Sequence, residues 1–355
     1  MTPPLIALEE HFYSNAVFSA IGDGFTNTLK AVPGLTEALL DLGDGRTAAM
    51  DRGNISIQVV SHAFTPGGPS AESCQKGNDE LAAGIARSNQ SHRYAGLAVL
   101  PVGDPAASAL ELERSVSMLD FVGALIDNHA NGTHYDSAAY DVLWEKASDL
   151  DVPIYLHPTW PSDLMAGQFQ GNYPMPVGAS LGAAGWGWHS DVGLHVLKLF
   201  SAGVFDRFPK LKIVIGHMGE MLPFMLERCI DMSTRWEGWG VKERPFGEVW
   251  NENIWITTSG SWGLAPMKCI LENTRVDHIM YSVDYPFETN EGGLKWFHEL
   301  EESGMLNSDE LEMIAYKNAE NLLKIKVEKN EKKDKKDKKE RKERKEKGQL
   351  VTAKL

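Results

Sequence analysis

Leu5-Ile6-Ala7-Leu8-Glu9-Glu10-His11-Phe12 opens the chain with an apolar run that ends in two acids and an imidazole. The run has strand character, and successive side chains of a strand point to opposite faces. Glu9 and His11, two residues apart, therefore share one face, and Glu10 takes the other. A carboxylate and an imidazole converging from one strand end are suitable donors for a divalent metal. On this stretch alone an exposed polar strand end is an equal alternative. The later strand ends decide between them.

Seven further apolar or alternating runs follow, at 56–62, 94–101, 121–127, 153–158, 212–217, 253–259 and 278–286. Most are rich in Val, Ile, Leu and Tyr, as buried parallel strands are. Helix-period stretches at 74–88, 106–118, 138–150, 192–202, 222–235 and 264–273 lie between them, and 293–302 and 308–323 follow the last. Asp309 and Glu310 give the final helix an acidic first turn, which suits the positive end of the helix dipole. This alternation predicts an α/β fold, a (β/α)8 TIM barrel. A doubly wound open sheet is the alternative, and the lack of a glycine-rich phosphate loop after the first strand argues against its nucleotide-binding form.

In such barrels the functional groups gather at the C-terminal strand ends. Those ends hold Glu9 and His11, His62, Asp127-Asn128-His129, His157, His217 followed by Glu220, and Asp284. A single histidine there is more often satisfied by a backbone partner than bound to metal. Four of the chain's 11 histidines ending strands directly is a pattern that folding alone does not demand.

Composition narrows the class. The 355 residues are 43% hydrophobic and 24% charged, ordinary for a globular protein with a real core. No apolar run approaches the ~20 residues that span a bilayer, and no secretory signal is expected. Cys74, Cys229 and Cys269 are scattered, which suits buried thiols in a reduced, cytoplasmic setting. The net charge of −14 is split: Lys324–Leu355 carries 15 basic against 7 acidic residues, an excess of +8, leaving −22 on residues 1–323. An acidic body argues against nucleic-acid binding.

Two domains are expected: a barrel over 1–327, with a lid-like insertion at 159–189, and a charged tail over 328–355. The insertion carries three prolines, six glycines and the aromatics Trp160, Phe169, Tyr173, Trp186 and Trp188. A loop of that length is usually functional, and its rings can stack on a flat substrate. An oligomer contact is the compatible alternative. In the tail, opposite charges three and four apart support an isolated solvated helix. The final Ala353-Lys354-Leu355 resembles the Ser-Lys-Leu peroxisomal address.

Four separated motifs now stand in order: Leu8-Glu9-Glu10-His11-Phe12, Tyr155-Leu156-His157-Pro158, Ile215-Gly216-His217-Met218-Gly219-Glu220 and Tyr281-Ser282-Val283-Asp284-Tyr285-Pro286-Phe287. With them the chain, over about residues 5–325, resembles the non-oxidative ortho-hydroxybenzoate decarboxylases of the amidohydrolase superfamily. That group includes the decarboxylases of γ-resorcylate, 2,3-dihydroxybenzoate and salicylate. The resemblance implies Glu9, His157 and Asp284 as metal ligands, with His11 as a further ligand of the γ-resorcylate type. It implies His217 and Glu220 as the pair that orients a catalytic Asp284, and Phe287 as a wall of the substrate pocket. It implies Arg228 as a substrate-binding residue given to a neighbouring subunit, hence a homodimer or homotetramer.

The expected activity is reversible decarboxylation of a small aromatic acid, a carbon–carbon lyase reaction. It needs one divalent metal and no organic cofactor. Histidine and carboxylate donors put zinc first, and two carboxylates with substrate oxygens leave manganese or magnesium open. The rival is metal-dependent hydrolysis of an amide or lactone. Glu9 in place of the first histidine of a His-x-His pair, and Asp127-Asn128 where a bridging lysine would stand, argue against a binuclear hydrolase.

Overall fold

The computed structural model describes residues 2–65, 68–236, 238–239 and 242–328. Eight parallel strands run through these residues: β1 Leu5–Phe12, β2 Ile55–His62, β3 Tyr94–Gly96, β4 Ala124–Asp127, β5 Pro153–His157, β6 Lys212–Ile215, β7 Ile254–Thr257 and β8 Ile279–Met280. All eight residues of β1 and all five of β5 are buried, because helices cover the outer face and side chains fill the interior. The longer helices between strands include Ala71–Arg87, Pro105–Leu119, Gly187–Ser201 and Leu222–Thr234. The chain divides after Ile325. The expected solvated tail beyond Glu328 and the terminal Ala353-Lys354-Leu355 lie outside the described residues. Among the described residues no helix is long and apolar enough to cross a membrane.

The strands pair in two ladders, β1-β2-β3 and β4-β5-β6-β7-β8, and two seams bring the ladders together. At the first, Ala98 bridges Ala124, its N–H donating to Gly123 O (2.9 Å) and its carbonyl accepting from Leu125 N (3.1 Å). At the second, side chains stand in for the ladder. Ser282 Oγ accepts from Leu8 N (3.2 Å) and Glu9 N (2.8 Å), Glu10 Oε1 accepts from Val283 N (3.0 Å), and His11 N donates to Tyr285 O (2.6 Å). Glu10 is itself held by Gln58 Nε2 (3.1 Å), and Gln58 by the fully buried Arg46 (3.3 Å). Burial raises the Glu10 carboxyl to about 8, against the opposing pull of Val283 N–H and Arg46. This outward residue of β1 therefore closes the barrel, while Glu9 and His11 face its mouth.

The structure redraws several expected boundaries. The third strand stops at Gly96 rather than 101; beyond it only Leu97 N to Val60 O (2.9 Å) and the Ala98–Ala124 bridge continue the pairing. The eighth is two residues long rather than nine, because the Ser282 and Glu10 side chains take over the pairing. Between β1 and β2, where no helix was expected, stand Asn15–Ala20, Asp23–Lys30, Leu35–Leu40 and Asp44–Arg52. Each is too short for a 3.6-residue period to register. The 159–189 insertion holds Asp163–Ala166, Gly167–Phe169 and Met175–Gly182, and Gly187–Ser201 begins within it.

His62, expected at the mouth, is buried elsewhere: its Nε2 meets Ser14 Oγ (2.9 Å) and its ring packs on Phe12. Burial lowers its affinity for a proton from an ordinary 6.5 to about 3. Below about pH 6.5 the unfolded chain takes up a proton that the folded one refuses, so this group costs stability as pH falls toward 3, by about 1.4 kcal/mol per unit. The His62→Gln variant should show a shallower fall in urea midpoint between pH 7 and pH 5 than the parent; equal slopes would mean that His62 is not the source.

Candidate active site

Glu9 and His11 of β1, His157 ending β5, His217 after β6 and Asp284 after β8 meet at the C-terminal mouth. His157 Nε2 lies 3.1 Å from Glu9 Oε1, His217 Nε2 3.8 Å and His11 Nε2 4.0 Å. Asp284 Oδ1 is 3.2 Å from His11 Nε2, and its Oδ2 is 3.9 Å from His217 Nε2. Donors held about 2.0–2.2 Å from one ion stand roughly 3–4 Å apart, which matches this spread. Glu9 belongs to two overlapping donor groups, one with His11 and His157 and one with His217 and Asp284. Glu9 Oε1, His11 Nε2 and Asp284 Oδ1 are buried without a well-formed hydrogen bond. Unsatisfied buried groups of this kind are costly, and a cation at their centre would satisfy all three. The residues fit a divalent metal.

Glu9 is aimed by its other oxygen. Tyr155 Oη donates to Oε2 and is itself 2.7 Å from Thr257 Oγ1. Gly216 makes room: a Cβ there would stand 2.6 Å from Glu9 Oε2 and 3.0 Å from Tyr155 Oη. Burial by itself would push the Glu9 carboxyl up, but the imidazoles of His217, His157 and His11 hold it well below the carboxylate range. The reciprocal effect raises His157 and His217 despite their burial, through Glu9 for the first and through Glu220 and Glu9 for the second. His11 is lowered by burial.

The turn after β6 is left-handed throughout. His217, Met218, Gly219, Glu220 and Met221 have φ of 49°, 59°, 87°, 52° and 66°. Each residue with a Cβ costs roughly 1–2 kcal/mol there, and such strain concentrates at functional sites. The turn is anchored by Met218 N to Thr257 O (2.8 Å) and Gly219 N to Gly216 O (2.7 Å). Its effect is to put His217 and Glu220 on one side, where His217 Nδ1 meets Glu220 Oε1 at 2.8 Å. Glu220 Oε2 meets a second imidazole, His189 Nδ1, at 2.7 Å. Burial raises the Glu220 carboxyl, yet His217 and His189 bring it down to about 2.

Above the donors opens a cavity of about 500 Å³, a size for a small ligand. Phe64 is its central ring, 5.3 Å from Phe287, 5.3 Å from Trp188 and 5.5 Å from His157. Trp160 and Trp188 bring the 159–189 insertion onto this wall, with ring centroids 5.5 Å apart. Phe25, Leu29, Val32 and Leu35, from the short helices after β1 and the turn between two of them, continue the lining, with Phe25 5.9 Å from Phe64. None of the described residues that line the cavity is Lys or Arg.

The structure thus brings together Glu9, His11, His157, His217, Glu220, Asp284 and Phe287. It leaves Arg228 exposed on Leu222–Thr234, outside the cavity of its own chain. The fourth strand end also stays out of the donor cluster. Asp127 accepts from Thr65 N (2.8 Å) and Oγ1 (3.0 Å), and Asn128 joins Asp191 (2.6 Å) to His195 (2.9 Å). Sequence reasoning missed Tyr155, His189 and the Phe25–Leu35 wall. Tyr155 was findable, since it precedes His157 by two on one strand face, as Glu9 precedes His11. His189 carried no periodic signal.

The sequence profile of the amidohydrolase family matches residues 46–325. The chain is 70% identical over 329 residues to decarboxylase orsB of Emericella nidulans, covering 93% of this chain and 99% of that protein. It is 34% identical to γ-resorcylate decarboxylase of Polaromonas sp., covering 90% and 98%. Its fold superposes with a TM-score of 0.79 on a crystal structure of dihydroxybenzoic acid decarboxylase from Polaromonas sp. with bound manganese and the inhibitor 2-nitroresorcinol, at 32% identity over 91% of this chain and 97% of that one. The chain belongs to the amidohydrolase family.

Proposed function

We propose that this protein is a metal-dependent carboxy-lyase that removes carbon dioxide, without oxidation, from a benzoate bearing an ortho hydroxyl. The carrying observation is that Asp284 stands where the donor cluster meets the aromatic cavity. A flat ring between Phe64, Phe287 and Trp188 would present its carboxylate and phenolic oxygen to the donors. Glu9, His11, His157 and Asp284 would hold one divalent ion, which when bound supplies Lewis acidity toward those two oxygens. Manganese in the crystal structure of a relative, together with two carboxylates in the donor set, favours manganese over the zinc that the imidazoles alone suggest.

This chain's residues then move one proton. His217, fixed at Nδ1 by Glu220, holds a proton beside Asp284 Oδ2. Asp284 passes it to the ring carbon that bears the carboxylate. The ring loses aromaticity at that carbon. The carbon–carbon bond breaks, its electron pair returns to the ring, and carbon dioxide leaves with the proton retained on carbon. The aromatic walls exclude water, which keeps the proton on that path. By microscopic reversibility the same groups carboxylate phenols at high bicarbonate. The hydrolytic alternative lacks its bridging lysine, since Asp127 and Asn128 at that strand end are bonded away from the donors.

The neighbour's share is a further part of this reading. With no Lys or Arg among the described residues of the cavity wall, a substrate anion would meet Arg228 of a second copy. That arginine is exposed beside Phe224 and Met225, which are 81% and 45% exposed, a surface suited to an oligomer contact.

Chelator-treated protein reloaded with manganese should convert at least one of 2,3-dihydroxybenzoate, γ-resorcylate and salicylate to its phenol faster than zinc-loaded protein does. Turnover of a lactone with no phenol formed from any of the three would reverse the assignment. Asp284→Asn should lower kcat by about 10²–10⁴-fold with an unchanged circular dichroism spectrum; near-parental decarboxylation would remove Asp284 from the proton path. Arg228→Met should raise KM in a protein that sediments as a dimer or larger, and a monomeric, fully active parent would dismiss the shared site.

A further inference from the structure

The 159–189 insertion returns to the barrel through a tight turn. Ala183 O accepts from both Trp186 N (3.1 Å) and Trp188 N (3.2 Å). Gly187 allows the turn, since a Cβ there would lie 2.3 Å from Gly182 O. Two residues later His189 faces the barrel mouth. Its Nδ1 meets Glu220 Oε2 (2.7 Å) and its Nε2 meets Ala184 O (3.1 Å), so one ring ties the turn of the insertion to the turn after β6. Its ring centroid is 4.8 Å from that of His217, and Trp188 beside it lines the cavity.

Glu220 has two oxygens, and each is taken by an imidazole Nδ1 from a different element. A carboxylate held at one oxygen can rotate about that bond. Held at both, its plane is fixed, and so is the line along which His217 Nε2 points toward Asp284 and Glu9. Charge-assisted contacts of this kind are the stronger hydrogen bonds, and partners one step behind a reacting group set its orientation. His189 is the contact that the insertion itself supplies. Unseating the insertion would free Glu220 Oε2 and let His217 swing.

We propose that His189 is a positioning residue which couples the seating of the 159–189 insertion to the orientation of His217 through Glu220. The proposal rests on the carboxy-lyase reading for its kinetic consequence and on the hydrogen bonds alone for the coupling. Once substrate is under Trp160 and Trp188, the proton-holding imidazole is aligned; with the insertion away, it is not. Proton transfer is thereby confined to the closed, water-poor arrangement.

The manganese-loaded full-length parent, His189→Ala and His189→Asn are compared. Asn places an amide N–H near the position of Nδ1 and so keeps the bond to Glu220. In His189→Ala, kcat should fall by about 10–100-fold with KM nearly unchanged and metal content equal to the parent's. His189→Asn should recover most of the loss. Without substrate, backbone hydrogen exchange over residues 175–189 should be faster in His189→Ala than in the parent and near-parental in His189→Asn. Parental kcat in His189→Ala, no recovery in His189→Asn, or unaltered exchange would each overturn the proposal. If the parent itself decarboxylates no hydroxybenzoate, the carboxy-lyase reading falls, and the exchange comparison alone decides the coupling.

Discussion

The molecule is arranged around one buried anion. Glu9 is fully enclosed, and an isolated carboxylate in such a place would either cost several kcal/mol or take up a proton. It does neither because one oxygen accepts from Tyr155 and the other faces three imidazoles. The partners come from three places, His11 from β1 itself, Tyr155 and His157 from β5 and His217 from the turn after β6, so the anion is satisfied only when all three are in register. Gly216 is part of the same constraint, since any side chain there would collide with the Glu9–Tyr155 contact. The strained left-handed turn from His217 to Met221 persists because its residues are held from outside, Met218 by Thr257 and Glu220 by His189.

This arrangement favours lyase chemistry over hydrolysis on physical grounds. A hydrolase must keep and activate a water at its metal. Here the approach to the donors is walled by Phe64, Phe287, Trp160 and Trp188. A space lined largely by aromatic and aliphatic side chains offers a nucleophilic water few partners. It is well suited to a reaction whose charge is spread over an aromatic system and whose only delivered atom is a proton.

Much of this was legible in the chain. The alternation of apolar runs with helix-period stretches predicts the barrel, and the acids and imidazoles ending those runs put candidate groups at its mouth; the resemblance to the ortho-hydroxybenzoate decarboxylases is what singles out Glu9, His11, His157 and Asp284 as donors and His217 with Glu220 as their partner pair. What failed to register has definite causes. His62 ends a strand like the others, but its Nε2 is turned to Ser14, and side-chain direction at a strand end is not encoded in spacing. The apolar wall from Phe25 to Leu35 sits on helices of six and eight residues, too short for a period to show. His189 owes its place to a glycine-dependent turn with no repeat. The β8–β1 seam was invisible because Ser282 and Glu10 perform there what backbone does elsewhere.

That seam joins residues 8–11 to residues 282–285, nearly the full length of the barrel apart in sequence. Contacts of such long range form late, after many shorter loops have closed. During synthesis the first strand leaves the ribosome with Glu9 and His11 already in hand and must wait for Asp284 until most of the chain has emerged. An ion shared by Glu9, His11 and Asp284 would therefore be gripped in full only by the finished barrel, once its last strand has docked against its first.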